Sequence, residues 1–142
     1  MPKIDRSMRK TNDEKPLVDA TGKGLGVRGQ PVNGVVDVDL YQDGKVILNS
    51  KGMSVAPRWR DLPYFLISKR LIDRFPGARG ATDIWCFTMG EGPFAEGAVA
   101  DGLDLKIDSP KHGVVAPRLS VPVDQYQADL ASTRDYWSID EA

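Results

Sequence analysis

The chain has 142 residues, of which 41% are hydrophobic and 27% are charged, and its formal net charge at pH 7 is −1. This length suits one small domain with a buried core, and the composition is neither that of a disordered chain nor that of a membrane protein. No apolar run approaches the ~18 residues of a membrane span, and the N-terminus lacks the apolar core of a signal peptide. The single cysteine, Cys86, cannot form an internal disulfide, which favours a reducing compartment.

The chain begins with a charged segment that predicts little regular structure. Residues 1–23 show almost no apolar periodicity, so we expect a flexible charged leader there. The folded domain is expected over 24–142, and it begins with a short strand over 24–29 that glycines flank. Residues 35–41 then alternate apolar and polar side chains, which is the pattern of a half-buried strand.

The middle of the chain predicts a hairpin and a short helix. Asp43-Gly44 is a turn signal after the alternating strand, and residues 45–48 predict the return strand of the hairpin. Pro63 suits the first position of a helix, so a short helix is predicted over 63–72. Residues 83–89 predict a central strand with Trp85 on one of its faces.

The C-terminal part predicts a long loop, two strands and a helix. The glycine-containing stretch 90–102 predicts the loop, and Leu103 starts a strand that alternates with charged residues. His112 starts a second apolar run that stops at Pro117. Pro122 suits the beginning of a helix, and four residues at helical spacing form one stripe: Tyr126, Leu130, Thr133 and Trp137. The fold class predicted from these elements is α+β.

The charge distribution is uneven along the chain. Arginine and lysine dominate the segment 58–79, whereas aspartate and glutamate dominate the last twenty residues. The asymmetry indicates either intramolecular complementarity or an anionic ligand near the middle segment. Because interleaved aromatic residues and overall basic charge are missing, nucleic acid is not expected as a constitutive partner. One histidine and one cysteine also argue against a metal site.

His112 is the only histidine, and it precedes Gly113 at the start of a strand. Histidine changes its charge near neutral pH, and the neighbouring glycine lets a ligand or another chain approach closely. His112 is therefore a candidate site residue. The alternative is that it caps the turn at Asp108-Ser109-Pro110 and hydrogen-bonds locally.

Several short motifs, taken in order, resemble one family. They are Leu25-Gly26-Val27-Arg28-Gly29, Lys51-Gly52-Met53-Ser54-Val55, the stretch from Leu103 to Pro117 with Asp108-Ser109 and His112-Gly113, and the tail Tyr126-Gln127 with Leu130. In this order they resemble the type VI secretion exported toxin family with an ADP-ribosyltransferase-like fold, which has bacterial and fungal relatives. The resemblance covers roughly residues 25–137.

The resemblance implies a single small domain with a split, mostly antiparallel β core, one or two helices, and NAD bound as a substrate in the cleft. The planar guanidinium of an arginine pairs well with phosphate oxygens, so an arginine suits the NAD diphosphate. By this resemblance, Ser54 and His112 are assigned to catalysis, and Arg28, Gly52, Met53 and Trp85 to NAD binding. Alternatives stay open for three of them: a strand-end hydrogen bond for Ser54, a surface ion pair for Arg28 and core packing for Trp85.

One departure from the family pattern concerns the catalytic glutamate that many ADP-ribosyltransferases carry on a late strand. No glutamate lies between Glu96 and Glu141, and Gln125 and Gln127 do not ionise. Two functions therefore stay open. The first is a toxin-like domain that binds NAD in the cytosol of a target cell and transfers ADP-ribose or hydrolyses NAD. The second is a non-catalytic interaction module, or a toxin–antitoxin partner, with the same fold.

The expected partners follow from these two functions. A toxin used in bacterial competition requires an immunity or antitoxin protein in the producing cell. Nucleic acid is left only as a target of modification, and no membrane partner is expected. The expected location is the cytoplasm, with transfer into target cells by a route that does not use a Sec signal.

Overall fold

The computed structural model describes residues 1–31 and 34–142, and these contain two antiparallel sheets and one α-helix. Strands Ile4–Met8 (β1), Trp85–Met89 (β3) and Ser138–Ile139 (β7) form a three-stranded sheet in the order β1-β3-β7. Strands Met53–Val55 (β2), Gly97–Ala100 (β4), Leu103–Ser109 (β5) and His112–Pro117 (β6) form a four-stranded sheet in the order β2-β6-β5-β4. The helix is Val123–Ala131 (α1). The predicted α+β class with a mostly antiparallel β core is confirmed.

The N-terminal segment belongs to the core, so the prediction of a flexible leader over 1–23 is wrong. Strand β1 pairs along its whole length with β3, and its side chains Ile4 and Met8 are fully buried. Alternate residues of a strand point to the same side, so Arg6 shares a face with these two apolar residues. A charged residue at an inward position hides the apolar alternation in the sequence.

The glycine-flanked strand over 24–29 and the hairpin over 35–48 appear as loops with isolated bridges. Leu40 and Val46 form one antiparallel bridge around the predicted turn, and Gly44 has a φ of 86° there. The turn therefore lies where Asp43-Gly44 predicted it, but the flanking residues do not extend into regular strands. Leu25 is completely buried and bridges Val18, which brings the first loop against the main core.

The predicted helix over 63–72 is replaced by single turns of 3-10 helix. Residues 67 and 68 are extended at the junction, and the backbone of Ser68 bridges Gly80 instead of continuing a helix. Ile67 and Leu71 are nevertheless buried. The turns in this region are Trp59–Asp61, Tyr64–Leu66 and Lys69–Leu71.

The C-terminal half agrees best with its predicted pattern. Strands β5 and β6 form the predicted pair, whereas the predicted loop over 90–102 contains strand β4 at the sheet edge. The stripe from Tyr126 to Trp137 is completely or almost completely buried, although α1 ends at Ala131 and a 3-10 turn, Arg134–Tyr136, follows.

The main core combines residues of both sheets and of α1. No helix in the described part of the chain is long and apolar enough to cross a membrane.

Candidate functional site

A cavity of about 630 Å³ opens beside the point where the two sheets meet. The backbones of Asp5 on β1 and Ala56 after β2 exchange two hydrogen bonds of 2.7 and 2.9 Å. At the adjoining positions the two strands are linked by a side chain, because Nη1 of Arg6 donates to the carbonyl oxygen of Ser54 at 2.7 Å. The volume lies within the ~300–1,000 Å³ that is usual for small-molecule sites.

The lining of this cavity has an excess of positive charge. Five of the lining residues are arginine or lysine, and two are aspartate. The cationic residues are Arg6, Arg9, Lys23, Arg28 and Lys111. The two aspartates are already paired with arginines, Asp37 with Arg28 and Asp61 with Arg58. Electrostatics therefore favour an anionic ligand in this cavity.

Arg6 is a buried cation whose hydrogen bonds go to neutral groups. Its Nε and Nη2 donate to the carbonyl oxygen of Gly24 at 3.1 and 3.0 Å, and Nη1 donates to Ser54. Burial lowers the pKa of Arg6 to about 10, while the negative charge of Asp37 acts in the opposite direction. The guanidinium is thus still charged at neutral pH, and an anion in the cavity would stabilise it.

Ser7 supplies a second buried polar group at the same place. Ser7 is among the lining residues, and its buried hydroxyl has no hydrogen-bond partner among the residues that the structure describes. A buried polar atom without a partner costs about 1–3 kcal/mol.

Arg28 lies in the cavity wall and is held by Asp37. Its Nε and Nη2 bind the two carboxylate oxygens at 2.9 and 3.0 Å, and its backbone N–H donates to Oδ2 at 2.7 Å. Burial acts to raise the pKa of Asp37, but the hydrogen bonds and the charge of Arg28 outweigh it and lower the pKa. The ion pair considered for Arg28 is therefore present, and the same residue still faces the candidate site.

Ser54 and His112 also line this cavity, from the neighbouring strands β2 and β6. The Ser54 side chain is exposed, because the flanking Met53 and Val55 take the buried positions of the strand. His112 is 42% exposed, and its Nδ1 lies 2.7 Å from Oδ1 of Asp108. His112 thus combines the two roles that the sequence left open, a local contact in its turn and a place in the cavity wall.

Gly52 and Met53 do not line the cavity. A Cβ on Gly52 would lie 2.8 Å from the carbonyl oxygen of Val115, so the glycine allows close packing of β2 on β6. Met53 is buried in the main core, and its N–H donates to the hydroxyl of Tyr126 at 3.1 Å. Tyr126 also donates to the Val115 carbonyl, which fixes the end of β2 on α1. Both residues therefore hold strand β2, and with it Ser54, in place from the side of the core.

Trp85 lies in the other sheet and is not part of the cavity lining. The guanidinium of Arg70 lies 3.6 Å from its ring centroid, and the ammonium of Lys10 lies 4.4 Å from it. The ring is thus already occupied by two cations. The structure does not bring Trp85 together with Arg28, Ser54 and His112.

The late acidic residue and the lone cysteine lie together away from the cavity. Glu141 binds Arg70 through both carboxylate oxygens, at 3.2 and 3.1 Å, and its Oε2 accepts from the Cys86 N–H at 3.3 Å. Burial, followed by the charges of Glu141 and Asp5, raises the pKa of the Cys86 thiol to about 12. Cys86 is therefore a poor nucleophile.

Gln127 has a structural role as well. Its side-chain oxygen accepts from the Val27 N–H at 3.3 Å, and its amide nitrogen donates to the Val27 carbonyl. This pair of contacts holds the loop that precedes Arg28 against α1. Gln127 therefore supports the cavity wall and does not replace an acid in it.

No protein-family model, curated protein or solved structure matches this chain. The cavity adds residues that sequence reasoning missed, chiefly Arg6, Ser7, Lys23 and Phe65. Arg6 alternates with the apolar Ile4 and Met8, and this is the one sequence signal that could have pointed to it. The other three residues carry no such signal.

Proposed function

We propose that this chain is a toxin-like domain with an ADP-ribosyltransferase-like arrangement, and that it binds NAD in the cavity between the two sheets. One observation carries the proposal. Arg28, Ser54 and His112 are far apart in sequence and were selected from motifs, and all three line one cavity. That cavity also has the charge that a dinucleotide diphosphate requires.

The phosphate end of the ligand is assigned to the cationic residues. Charged hydrogen bonds from arginine and lysine to phosphate are short and strong. Lys23 and Lys111 form no ion pair among the described residues. Together with the buried Arg6 they leave positive charge for a ligand to neutralise. Phosphate therefore fits this part of the cavity better than a neutral group does.

The chemical step requires support for positive charge on the ribose. When the bond between nicotinamide and ribose breaks, nicotinamide leaves with the bonding electrons, and water or an acceptor group attacks the anomeric carbon and then loses a proton. Ser54 and His112 are two groups of the cavity lining that can hydrogen-bond ribose hydroxyls or the attacking group. We assign them to positioning the ribose, with His112 as the group that can accept the proton.

A specific observation favours a second candidate, a module that binds NAD without cleaving it. A free carboxylate would stabilise the positive ribose most directly. The carboxylates of the cavity, Asp37 and Asp61, each bind an arginine. Their charge is thus partly neutralised before a ligand enters. In this second candidate function the protein binds NAD at the same site but does not cleave it.

Two assays on the purified protein test the proposal. Calorimetry measures NAD binding, and chromatography measures nicotinamide released over several hours, with a blank that lacks the protein. Binding with release supports the toxin-like enzyme, and binding without release supports the second candidate. Absence of NAD binding at millimolar concentration would overturn both.

The biological setting is tested by expression in bacteria. We expect growth arrest when the chain is expressed alone in the cytoplasm, and relief when a neutralising protein from the producing cell is expressed with it. Arg28→Ala and His112→Ala should reduce the arrest. Normal growth at full expression of the wild-type chain would contradict the toxin function and leave the antitoxin or interaction role.

A further inference from the structure

We infer that the ligand of this cavity carries a planar aromatic ring as well as phosphate, and that Phe65 stacks on this ring. The inference rests on the proposed function for the phosphate end and adds the residue that recognises the other end. It names a nucleotide as the ligand class on the basis of chemistry on both parts of the lining.

The cavity lining is divided by chemistry between segments of the chain. The cationic residues come from β1, from the segment that follows it and from the β5–β6 turn, whereas an apolar stretch comes from residues 62–66. Leu62, Pro63, Phe65 and Leu66 all line the cavity from that stretch. A ligand that only carried charge would leave this apolar surface in contact with water. A nucleotide matches both parts, because its phosphates are anionic and its base is a flat apolar ring.

Phe65 is the aromatic side chain of this lining, and it is unusually exposed for a phenylalanine. It is 58% exposed, while Leu62 and Ile67 on either side of it are buried. The exposed part of the ring contributes nothing to folding through burial, so it is apolar surface that another contact can cover. A side chain of this kind at the wall of a cavity is available to contact a ligand ring, and every base has a face on which it can stack.

The turn that carries Phe65 is held firmly by its neighbours. The Tyr64 ring packs edge-to-face on Phe75 with 5.4 Å between ring centroids. The backbone of the turn is tied to the following loop, since Arg79 N–H donates to the Tyr64 carbonyl at 3.1 Å and Gly80 N–H to the Ile67 carbonyl at 2.8 Å. Phe65 is therefore presented on a braced turn, which reduces the entropy lost when a ring stacks on it.

The test compares two ligands that differ by the ring. ADP and inorganic pyrophosphate are titrated into the wild-type chain, Phe65→Ala, Phe65→Trp and Tyr41→Ala. Tyr41 is the matched control, because it is similarly exposed at 54% and does not line the cavity. Thermal melting verifies that each variant is folded. We expect Phe65→Ala to weaken ADP binding roughly 5- to 100-fold and to leave pyrophosphate binding unchanged.

The remaining variants complete the expected pattern. Phe65→Trp should keep or improve ADP affinity, and Tyr41→Ala should leave both ligands unaffected. If ADP and pyrophosphate bind the wild-type chain equally, or if Phe65→Ala binds ADP as well as wild type does, the stacking role is wrong while the phosphate site stands. If neither compound binds the wild-type chain, the phosphate site of the proposed function fails, and this inference fails with it.

Discussion

Two regions of this molecule both combine arginine with an aromatic side chain. They differ in how fully these side chains are paired with other groups of the fold. One is the cavity beside the bridge between β1 and β2, and the other is the Trp85 seam, which we define as Trp85, Arg70, Lys10, Glu141 and Cys86. In the seam, Arg70 binds both oxygens of Glu141, donates to two backbone carbonyls and covers the Trp85 ring. The cavity lining instead includes a buried arginine, a serine whose hydroxyl has no partner among the described residues, and an exposed aromatic ring.

This difference indicates a structural role for the Trp85 seam and a ligand-binding role for the cavity. A cation stacked on a tryptophan and paired with a carboxylate has little left to offer a ligand. The cavity retains charge, hydrogen-bonding capacity and apolar surface that folding has not used. Residue type alone does not distinguish these regions, since the resemblance assigned Trp85 to NAD binding along with Arg28. What distinguishes the two regions is how many hydrogen bonds, ion pairs and ring contacts each side chain makes within the fold.

The largest effect is expected for Arg6→Ala. It removes the charged donor shared by the carbonyls of Gly24 and Ser54, at about 1.5–3 kcal/mol for each charged hydrogen bond lost. We expect a lower urea midpoint and loss of NAD binding. Arg70→Ala in the Trp85 seam should also lower the midpoint but retain NAD affinity. Equal loss of NAD binding in both variants would contradict the assignment of ligand binding to the cavity and not to the Trp85 seam.

Arg28→Ala should have the next largest effect, on binding more than on folding. Loss of a charged contact to phosphate should weaken NAD binding by about 1.5–3 kcal/mol. Arg28→Lys should restore part of it, since the ammonium keeps the charge but not the planar fork. Calorimetry checks both. Unchanged NAD affinity in the two variants would leave Arg28 as a partner of Asp37 only.

Ser54→Ala should affect turnover while leaving the fold intact. The Ser54 side chain is exposed, and the backbone carbonyl that binds Arg6 is kept in the variant. We expect the free energy of unfolding to change by less than about 0.5 kcal/mol and nicotinamide release to fall. A large drop in melting temperature would instead assign Ser54 to the strand scaffold.

The smallest effect is expected for Asp37→Asn, and it depends on pH. Because the pKa of Asp37 is lowered below its ordinary value of 3.8, its ionised form stabilises the fold above that pH. The contribution is lost as pH falls through the lowered pKa. Between pH 7 and about pH 3, wild type should therefore lose more stability than Asp37→Asn. Parallel urea midpoints for both proteins across that range would show that the Arg28–Asp37 pair contributes nothing.

Periodicity in the sequence predicted the elements whose inward positions carry no charged residue. Strand β5 and the stripe from Tyr126 to Trp137 are of this kind, and both are found. Strand β1 was missed because Arg6 stands at an inward position. The helix over 63–72 was wrong because Ser68 pairs with Gly80, a contact between distant residues that local propensity does not contain.

The candidate site was predictable to the extent that its motifs were local. Arg28, Ser54 and His112 all line the cavity, whereas Met53 points into the core because strand alternation separates it from Ser54. Arg6 and Lys23 carry no motif, and they reach the cavity only through the pairing of β1 with β3 and the packing of the adjacent loop. Their contribution becomes visible once the tertiary structure is known.

The most direct measurement of the central claim is a titration of the ¹⁵N-labelled chain with NAD, followed by amide chemical shifts. If the cavity is the ligand site, the largest shifts occur at Ser7, Lys23, Ser54, Phe65 and His112, and the amides of the Trp85 seam stay unchanged. Shifts that instead centre on Trp85 and Arg70, or no shifts at millimolar NAD, would contradict the assignment of this cavity.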